Sequence, residues 1–393
     1  LKRPTYFISG RSPSADVLAA ELVLAIRERY SKVEGYGITG AATERTRIPN
    51  ISNLKDCMDH RLHEDGLVTA ESKKLAETII DEIDQLAPQV AILVGYSPFH
   101  HHLAKYFKSR AIPVVVYGMT PMSGWQGVTA EDLKGVLSAV LGMFPECEKI
   151  VADAGVEYDF IGSPHRDRVD RVKVSAEALG LDPDQMLMSF LPGSHLESAR
   201  TILPFMEEIS AHIRKELPQM QFVVPLTAYL YQKAQAKLFD PKKIKLASLP
   251  GTGKKIMTYG NFTMVEGMSL ELLSLSRVAM TGIGASSLEA GLSRIPFVAC
   301  YHGDQRQEPV CLANQVAKSQ LGPDVHIGTD PGPVARQLLD WITDDAKRDL
   351  AVDKLKVLRK KLKGFAAENA ADIIGQSIVQ WNLKKRSKGA QSA

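Results

Sequence analysis

The sequence predicts an α/β protein built as two doubly wound domains whose ligand loops face a common cleft. Two observations carry this. Apolar strand runs alternate with helix-patterned segments along the chain, and two strands of the second half run directly into small-residue turns that open helices. At 393 residues the chain is long enough for two or three cores of ordinary size.

In chain order, Thr5-Tyr-Phe-Ile-Ser9 reads as a strand, Gly10 to Asp16 as a loop and Val17 to Tyr30 as a helix with Leu18, Leu22, Ala25 and Ile26 on one face. Strands follow at Gly35–Thr39, Val90–Val94, Val114–Tyr117, Lys149–Val151 and Phe160–Ile161. Helices are expected at Glu71–Leu86, His101–Ser109 and Ala130–Leu141. The charged stretch Pro164–Asp182 reads as a linker. We therefore expect domains at 1–168 and 169–365, followed by a carboxy-terminal helix and basic tail at 366–393, with Lys384-Lys-Arg-Ser-Lys388 as a mobile terminus.

The second half carries the clearest chemistry. Met186–Leu191 is an apolar strand that meets Pro192-Gly193-Ser194-His195 just before a helix at Ser198–Arg214. Gln221–Pro225 reads as the next strand and Met268–Leu275 as a short helix. Arg277–Met280 then feeds Gly282, Gly284, Ala285, Ser286 and Ser287, and Ile295–Ala299 returns as a buried strand. Glycine lets backbone approach a ligand, hydroxyls suit helix starts, and helix starts offer N–H groups to phosphate. Glu289, one turn into its helix, is placed to accept hydrogen bonds from ribose hydroxyls. The competing reading is an ordinary strand-turn-helix of an α/β domain. Strand carboxyl ends bind ligands in such sheets, so the loops after Ser9, Val94, Leu191 and Met280 are expected to face the cleft.

Composition excludes several classes. With 48 Lys plus Arg against 45 Asp plus Glu, no global charge demands nucleic acid. No apolar run reaches the roughly 18 residues of a membrane span, and no signal-peptide core opens the chain, so a cytoplasmic protein is expected. Cys57, Cys147, Cys300 and Cys311 lack metal-ligand spacing and are expected as reduced thiols.

The ordered motifs Ser9-Gly10 through Ser14-Ala-Asp16, Thr120-Pro121 through Trp125, Phe144-Pro-Glu146, Phe160-Ile-Gly162, Leu191-Pro-Gly-Ser194, Phe222-Val-Val-Pro225, Gly284 through Glu289 and Leu312-Ala-Asn314 resemble the lipid-A-disaccharide synthase family from about Tyr6 to about Gln380. The resemblance implies the GT-B fold, two Rossmann-like domains facing across a cleft. It also implies metal-independent, cofactor-free inverting transfer of an acylated glucosamine from a UDP-sugar donor to an acylated glucosamine 1-phosphate acceptor, forming a β-1,6 bond in lipid A biosynthesis. Donor binding then falls to Gly193, Ser194, His195, Gly284, Ala285, Ser286, Glu289 and Asn314. Asn314 either approaches the donor or caps locally. A peripheral contact with the inner membrane and homodimers through exchanged carboxy-terminal elements are further implications.

Departures from the family fall on both the acceptor and the donor side. Acidic residues follow the family's strand at Ile92–Gly95, including its general base, but here the loop reads Tyr96-Ser97-Pro98-Phe99-His100-His101-His102. His100 is the substitute base to test against a polar helix start with internally bonded imidazoles. Consecutive helical residues diverge by about 100°, so the trio does not converge on a metal. The first-loop glutamate is lost at Arg11–Pro13, and arginines are replaced at His195 and His302. Asp16 remains, facing the acceptor or capping the helix at Val17. Ser97 and Trp125 are the other acceptor-side residues, with Trp125 either lining a pocket or plugging the core. The segment Leu54–Asp65 is too charged to offer a lipid face. Lys354–Lys363, with Leu355, Leu358 and Leu362 in a stripe, suits either anionic lipid or packing on its own domain. Two other classes share these features: a catalytically silent nucleotide- or lipid-binding relative, and a UDP-sugar epimerase.

Overall fold

The computed structural model describes residues 3–119, 130–145, 147–179, 181–248, 255–303 and 309–390. Its chain forms two compact units: Leu1–Pro164 together with Lys363–Ala393, and His165–Leu362.

The first unit holds β1 (Thr5–Gly10), β2 (Glu34–Thr39), β3 (Asn50–Asn53), β4 (Val90–Val94), β5 (Val114–Met119), β6 (Ala139–Gly142) and β7 (Glu157–Phe160). All pair in parallel, in the order β3-β2-β1-β4-β5-β6-β7. Every residue of β4 is buried, as a parallel strand covered on both faces requires. Strand order reverses between β1 and β4, so the loops after these two strands flank a switch point.

The helix expected from Val17 begins at Pro13, because Ser12 caps it: its Oγ accepts from the Ala15 N–H at 3.3 Å, and proline suits the first helical position. The expected helix over 130–141 is also corrected. It stops at Leu133, Gly135 takes φ +69°, and the apolar run that follows pairs as β6. A run that short is compatible with helix or buried strand, and the left-handed glycine decides. The strand expected at 149–151 is instead inside the helix Cys147–Asp153, and the one expected at 160–161 is β7.

The carboxy-terminal helix Ala366–Ala390 returns to this unit and includes the stretch expected as a mobile tail. Arg29 pairs with Asp372 at 2.7 Å, and Asn369 donates to the Ile161 carbonyl at 2.8 Å. Glycine is required at 375, where a Cβ would meet the Tyr30 ring at 2.1 Å.

The second unit holds β8 (Leu187–Leu191), β9 (Gln221–Leu226), β10 (Lys245–Ser248), β11 (Lys255–Tyr259), β12 (Phe262–Glu266), β13 (Val278–Gly282), β14 (Phe297–Tyr301) and β15 (Asp324–His326). Their order is β10-β11-β12-β9-β8-β13-β14-β15, with β11 antiparallel to its neighbours β10 and β12 and every other pairing parallel. The switch point lies between β8 and β13. A core of Phe190, Phe222, Phe262, Met206 and Ile209 packs beneath the helix Leu196–Glu216.

The stretch expected as a linker opens this unit with the helix Pro164–Arg171. On the helix Asp345–Lys361, Leu355 and Leu358 are buried, as is Leu362 just past its end. A Cβ on Gly291 would meet Leu358 at 2.4 Å, so glycine admits this close packing. The leucine stripe therefore belongs to the domain core and is not available to a lipid surface.

Candidate functional site

In the second unit the two small-residue turns adjoin. Register pairs Thr281 with Leu191, and a Cβ on Gly282 would lie 3.4 Å from the Pro192 carbonyl oxygen. Gly193 takes φ +99°, a conformation glycine adopts without strain. His195 is the N-cap of the helix Leu196–Glu216, and Gly284 is the N-cap of the helix Ala285–Leu292. Among the described residues, no atom beyond the chain neighbours lies within 4 Å of a Cβ built on Gly193 or Gly284, so both turns are open above the backbone there. Ser194, Ala285 and Ser286 are half-buried beside them. Helix starts leave N–H groups unpaired and carry partial positive charge, so this end of the sheet suits an anion. His302 adds a second imidazole there, with Nε2 3.5 Å from the Ser198 hydroxyl.

Glu289 sits deeper than the ribose-binding reading requires. It is 6% exposed, and its Oε1 accepts from His165 Nδ1 at 3.0 Å and from Arg168 Nη1 at 2.7 Å. Burial alone would raise its pKa, but the Arg168 charge and the His165 contact outweigh it and hold the carboxyl below its usual range. His165 and Arg168 were not anticipated, because they stand in the charged run read as a linker. Asn314 is fully buried. Its Oδ1 accepts from the Leu321 N–H at 2.7 Å and its Nδ2 donates to the Gly322 carbonyl at 2.8 Å. That is the local, turn-holding alternative.

In the first unit the switch-point loops are filled by side chains that bond one another. Ser97 is the N-cap of the helix Pro98–Ser109, accepting from the His100 N–H at 3.1 Å. His100 is 0% exposed. Its Nδ1 lies 3.0 Å from the Gly95 carbonyl, which only accepts, so Nδ1 carries the proton. Nε2, 3.0 Å from Ser9 Oγ, then accepts the serine hydroxyl. Burial pushes the imidazole pKa down to about 3. Neutral, enclosed and bonded at both nitrogens, His100 follows the structural alternative rather than the base. His101 turns to the Tyr96 hydroxyl at 3.1 Å, so the three histidines do diverge.

Asp16 is buried inside its helix and does not cap it. It accepts from the Gly40 N–H at 3.0 Å and the Ala42 N–H at 2.7 Å, which makes it the cap of the next helix, Ala41–Glu44. Trp125 lies outside the described residues. Among the described residues, no three or more His, Cys, Asp or Glu side chains are grouped to hold a metal ion, and no helix is long and apolar enough to cross a membrane.

Three residues at this end were missed. Arg11 lies along Gly95, where a Cβ would meet its side chain at 2.7 Å, and its Nη1 donates to the Tyr96 carbonyl at 2.9 Å. His63, from the helix Leu62–Asp65, places Nδ1 2.9 Å from Ser97 Oγ and stacks edge-on against His100 at 4.8 Å. Glu64 follows it, half-buried and within electrostatic reach of Arg11. The charged segment Leu54–Asp65 was the only signal, and it did not say where it would fold.

Comparisons with known proteins agree with this architecture. A family model described as lipid-A-disaccharide synthetase matches residues 6–306. The lipid-A-disaccharide synthase of Myxococcus xanthus (strain DK1622) is 27% identical over 301 residues, covering 76% of this chain and 74% of that protein. That of Koribacter versatilis (strain Ellin345) is 24% identical over 403 residues, covering 96% and 98%. Among solved structures, the UDP-GlcNAc 2-epimerase of Methanocaldococcus jannaschii superposes with a TM-score of 0.61 at 13% identity, covering 95% of this chain and 99% of that one. The glycosyltransferase of kitacinnamycin gives 0.59 at 17%, covering 95% and 99%. These likenesses establish the GT-B fold. With the family model spanning most of its length, the chain belongs to the lipid-A-disaccharide synthetase family of glycosyltransferases.

Proposed function

We propose that the protein transfers an acylated glucosamine from a UDP-sugar to an acylated glucosamine 1-phosphate, inverting the anomeric centre. The observation that carries this reading is the pair of adjoining open turns at Gly193 and Gly284, each at a helix start, in a chain of this family. The departing diphosphate accumulates negative charge, and preorganised N–H groups and hydroxyls stabilise it without reorganisation. On this reading Gly193, Ser194, His195, Gly284, Ala285 and Ser286 hold the diphosphate, and Glu289, steadied by His165 and Arg168, meets the ribose. Support for a uridine nucleotide comes from the fold neighbours, since the Methanocaldococcus jannaschii epimerase was solved with UDP-GlcNAc and UDP. Membrane contact and self-association rest on the family resemblance.

Incubating the purified protein with a UDP-diacylglucosamine and a diacylglucosamine 1-phosphate, then reading products by mass spectrometry, tests this. A disaccharide and UDP in equal amounts are expected. A second reading, a relative that binds nucleotide without turnover, is favoured by the loop Tyr96–His102, which contains no carboxylate. Saturable UDP binding with no product selects it, and conversion of the UDP-sugar without acceptor selects an epimerase.

A further inference from the structure

We infer that His165 and Arg168 are positioning residues for the donor: by holding one oxygen of Glu289 they leave the other to read ribose hydroxyls, which makes the site selective for a ribonucleoside diphosphate over its deoxy counterpart. The inference rests on the donor-binding reading above and deepens it, and its three residues all belong to the second unit.

The geometry turns on which carboxylate atom is used. His165 Nδ1 and Arg168 Nη1 both donate to Oε1 of Glu289, at 3.0 and 2.7 Å; the ionised carboxylate only accepts, so Nδ1 carries the imidazole proton. Among the described residues no hydrogen bond reaches Oε2. An ionised oxygen at a residue only 6% exposed has given up most of its hydration, and a bound hydroxyl would replace what it lost. Glu289 stands on the helix that starts at the open Gly284 turn. Side chains on a helix lean towards its N-terminus, so this one extends towards the end where the diphosphate, and the ribose attached to it, is expected.

The hold on Oε1 is itself braced. The helix Pro164–Arg171, which carries both partners, is pinned to the end of the helix Asp345–Lys361: Arg166 Nη1 donates to the Arg359 and Leu362 carbonyls at 2.6 and 2.9 Å, and Asp170 pairs with Arg359 at 2.6 Å. Arg359 Nε in turn donates to the Leu292 carbonyl at 3.0 Å, at the end of the helix that bears Glu289. Three helices thus close a ring of polar contacts around the carboxylate. Burial favours its neutral form, but the Arg168 charge and the His165 contact keep it ionised, the form that accepts most strongly.

A fixed acceptor loses little side-chain freedom when ligand arrives, and a site built around a hydroxyl is left with an unpaired buried acceptor when that hydroxyl is missing. The backbone turns at Gly193 and Gly284 do not make this choice, because ribo- and deoxyribonucleotides carry the same diphosphate.

The test titrates UDP and 2′,3′-dideoxy-UDP calorimetrically into wild type, Arg168→Gln, Arg168→Lys and His165→Phe, each checked for folding by its thermal melt. For wild type we expect UDP to bind about 30-fold tighter than the dideoxy analogue. In Arg168→Gln, UDP affinity should fall about tenfold while that of the analogue stays within about twofold, so the preference shrinks to about threefold. Arg168→Lys returns a cation to Oε1 and should recover most of the preference. A residue that only steadied the fold would weaken both nucleotides alike. Equal weakening therefore overturns the inference, as does an undiminished preference in folded Arg168→Gln or the lack of any preference in wild type, and in each case UDP binding leaves the donor reading intact. Where Arg168→Gln does not fold, His165→Phe, which keeps the cation, decides: its preference should shrink by about threefold, and an unchanged one overturns the inference. If wild type binds neither nucleotide, the donor reading itself falls and this inference with it.

Discussion

The two switch points of the molecule follow one topological plan and are furnished in opposite ways. In the second unit the loops after β8 and β13 are open backbone, with nothing among the described residues near the Cβ positions of Gly193 and Gly284. In the first, the loops after β1 and β4 are packed with polar side chains: Ser9 on His100, His100 on Gly95, Ser97 on His63, and Arg11 on Tyr96. A diphosphate cradle made of N–H groups depends on backbone shape, so many sequences can supply it. A base depends on one side chain, so fewer sequences can supply it.

The sharpest consequence of the packed switch point is sensitivity to acid. His100 is held near pKa 3 in the folded protein against about 6.5 when unfolded, so below pH 6.5 the unfolded chain binds a proton that the folded one refuses. Stability from the neutral imidazole is therefore complete above pH 6.5 and lost as pH falls towards 3. Urea unfolding should show a loss of about 2 kcal/mol from pH 7 to 5 and about 4 kcal/mol by pH 3. In His100→Gln the protein should start less stable at pH 7, and this slope should be absent. A slope unchanged by the substitution would mean that the imidazole is not enclosed, and the contrast between the two switch points would weaken.

How much of this was legible follows from where each contact sits in the chain. Strands such as Val90–Val94 and Leu187–Leu191 declare themselves because every residue is apolar, and the turns at Gly193 and Gly284 follow their strands directly. What was hidden depends on partners far away in sequence. The Glu289 ion pair bridges 121 residues to Arg168, and the Ser9–His100 bond spans 91. Asp16 looked like a cap because it is one, but for a helix beginning at Ala41 rather than its own. His63 was passed over because charge density in Leu54–Asp65 read as a lost lipid face, and periodicity does not reveal that Leu62 and His63 turn inward.

Glu289 tests whether the second unit's site is wholly backbone. Glu289→Ala leaves the mostly buried Arg168 without its carboxylate, and about 2 kcal/mol of stability should go with it, less than for a fully enclosed pair because Arg168 keeps some solvent. If the carboxylate also meets the ribose, UDP affinity should fall by a further 1–3 kcal/mol, or about fivefold to 150-fold. Calorimetric titration of the folded variant separates the two effects. Unchanged affinity would remove Glu289 from the site and leave it a structural anchor for the helix Pro164–Arg171. As its folded pKa is depressed, its contribution is present above about pH 4.3 and lost as pH falls below, so between pH 6.5 and about 4.3 the His100 effect is read without it.

The finest test sets one glycine of each switch point against the other. A Cβ on Gly10 would meet the Asp16 backbone nitrogen at 2.8 Å, and backbone does not yield as a side-chain tip does. Gly10→Ala should therefore lower stability by about 1 kcal/mol or more whether or not ligand is present. Gly284 has open space among the described residues, so an added methyl meets no packed atom of the protein itself. Gly284→Ala meets no described atom and should therefore lose less stability than Gly10→Ala. Its UDP affinity should nonetheless drop severalfold, because the added methyl stands where the diphosphate must approach the helix start. Equal affinity for wild type and Gly284→Ala would mean that the ligand keeps its distance from this turn, leaving the Gly193 turn to hold the diphosphate alone.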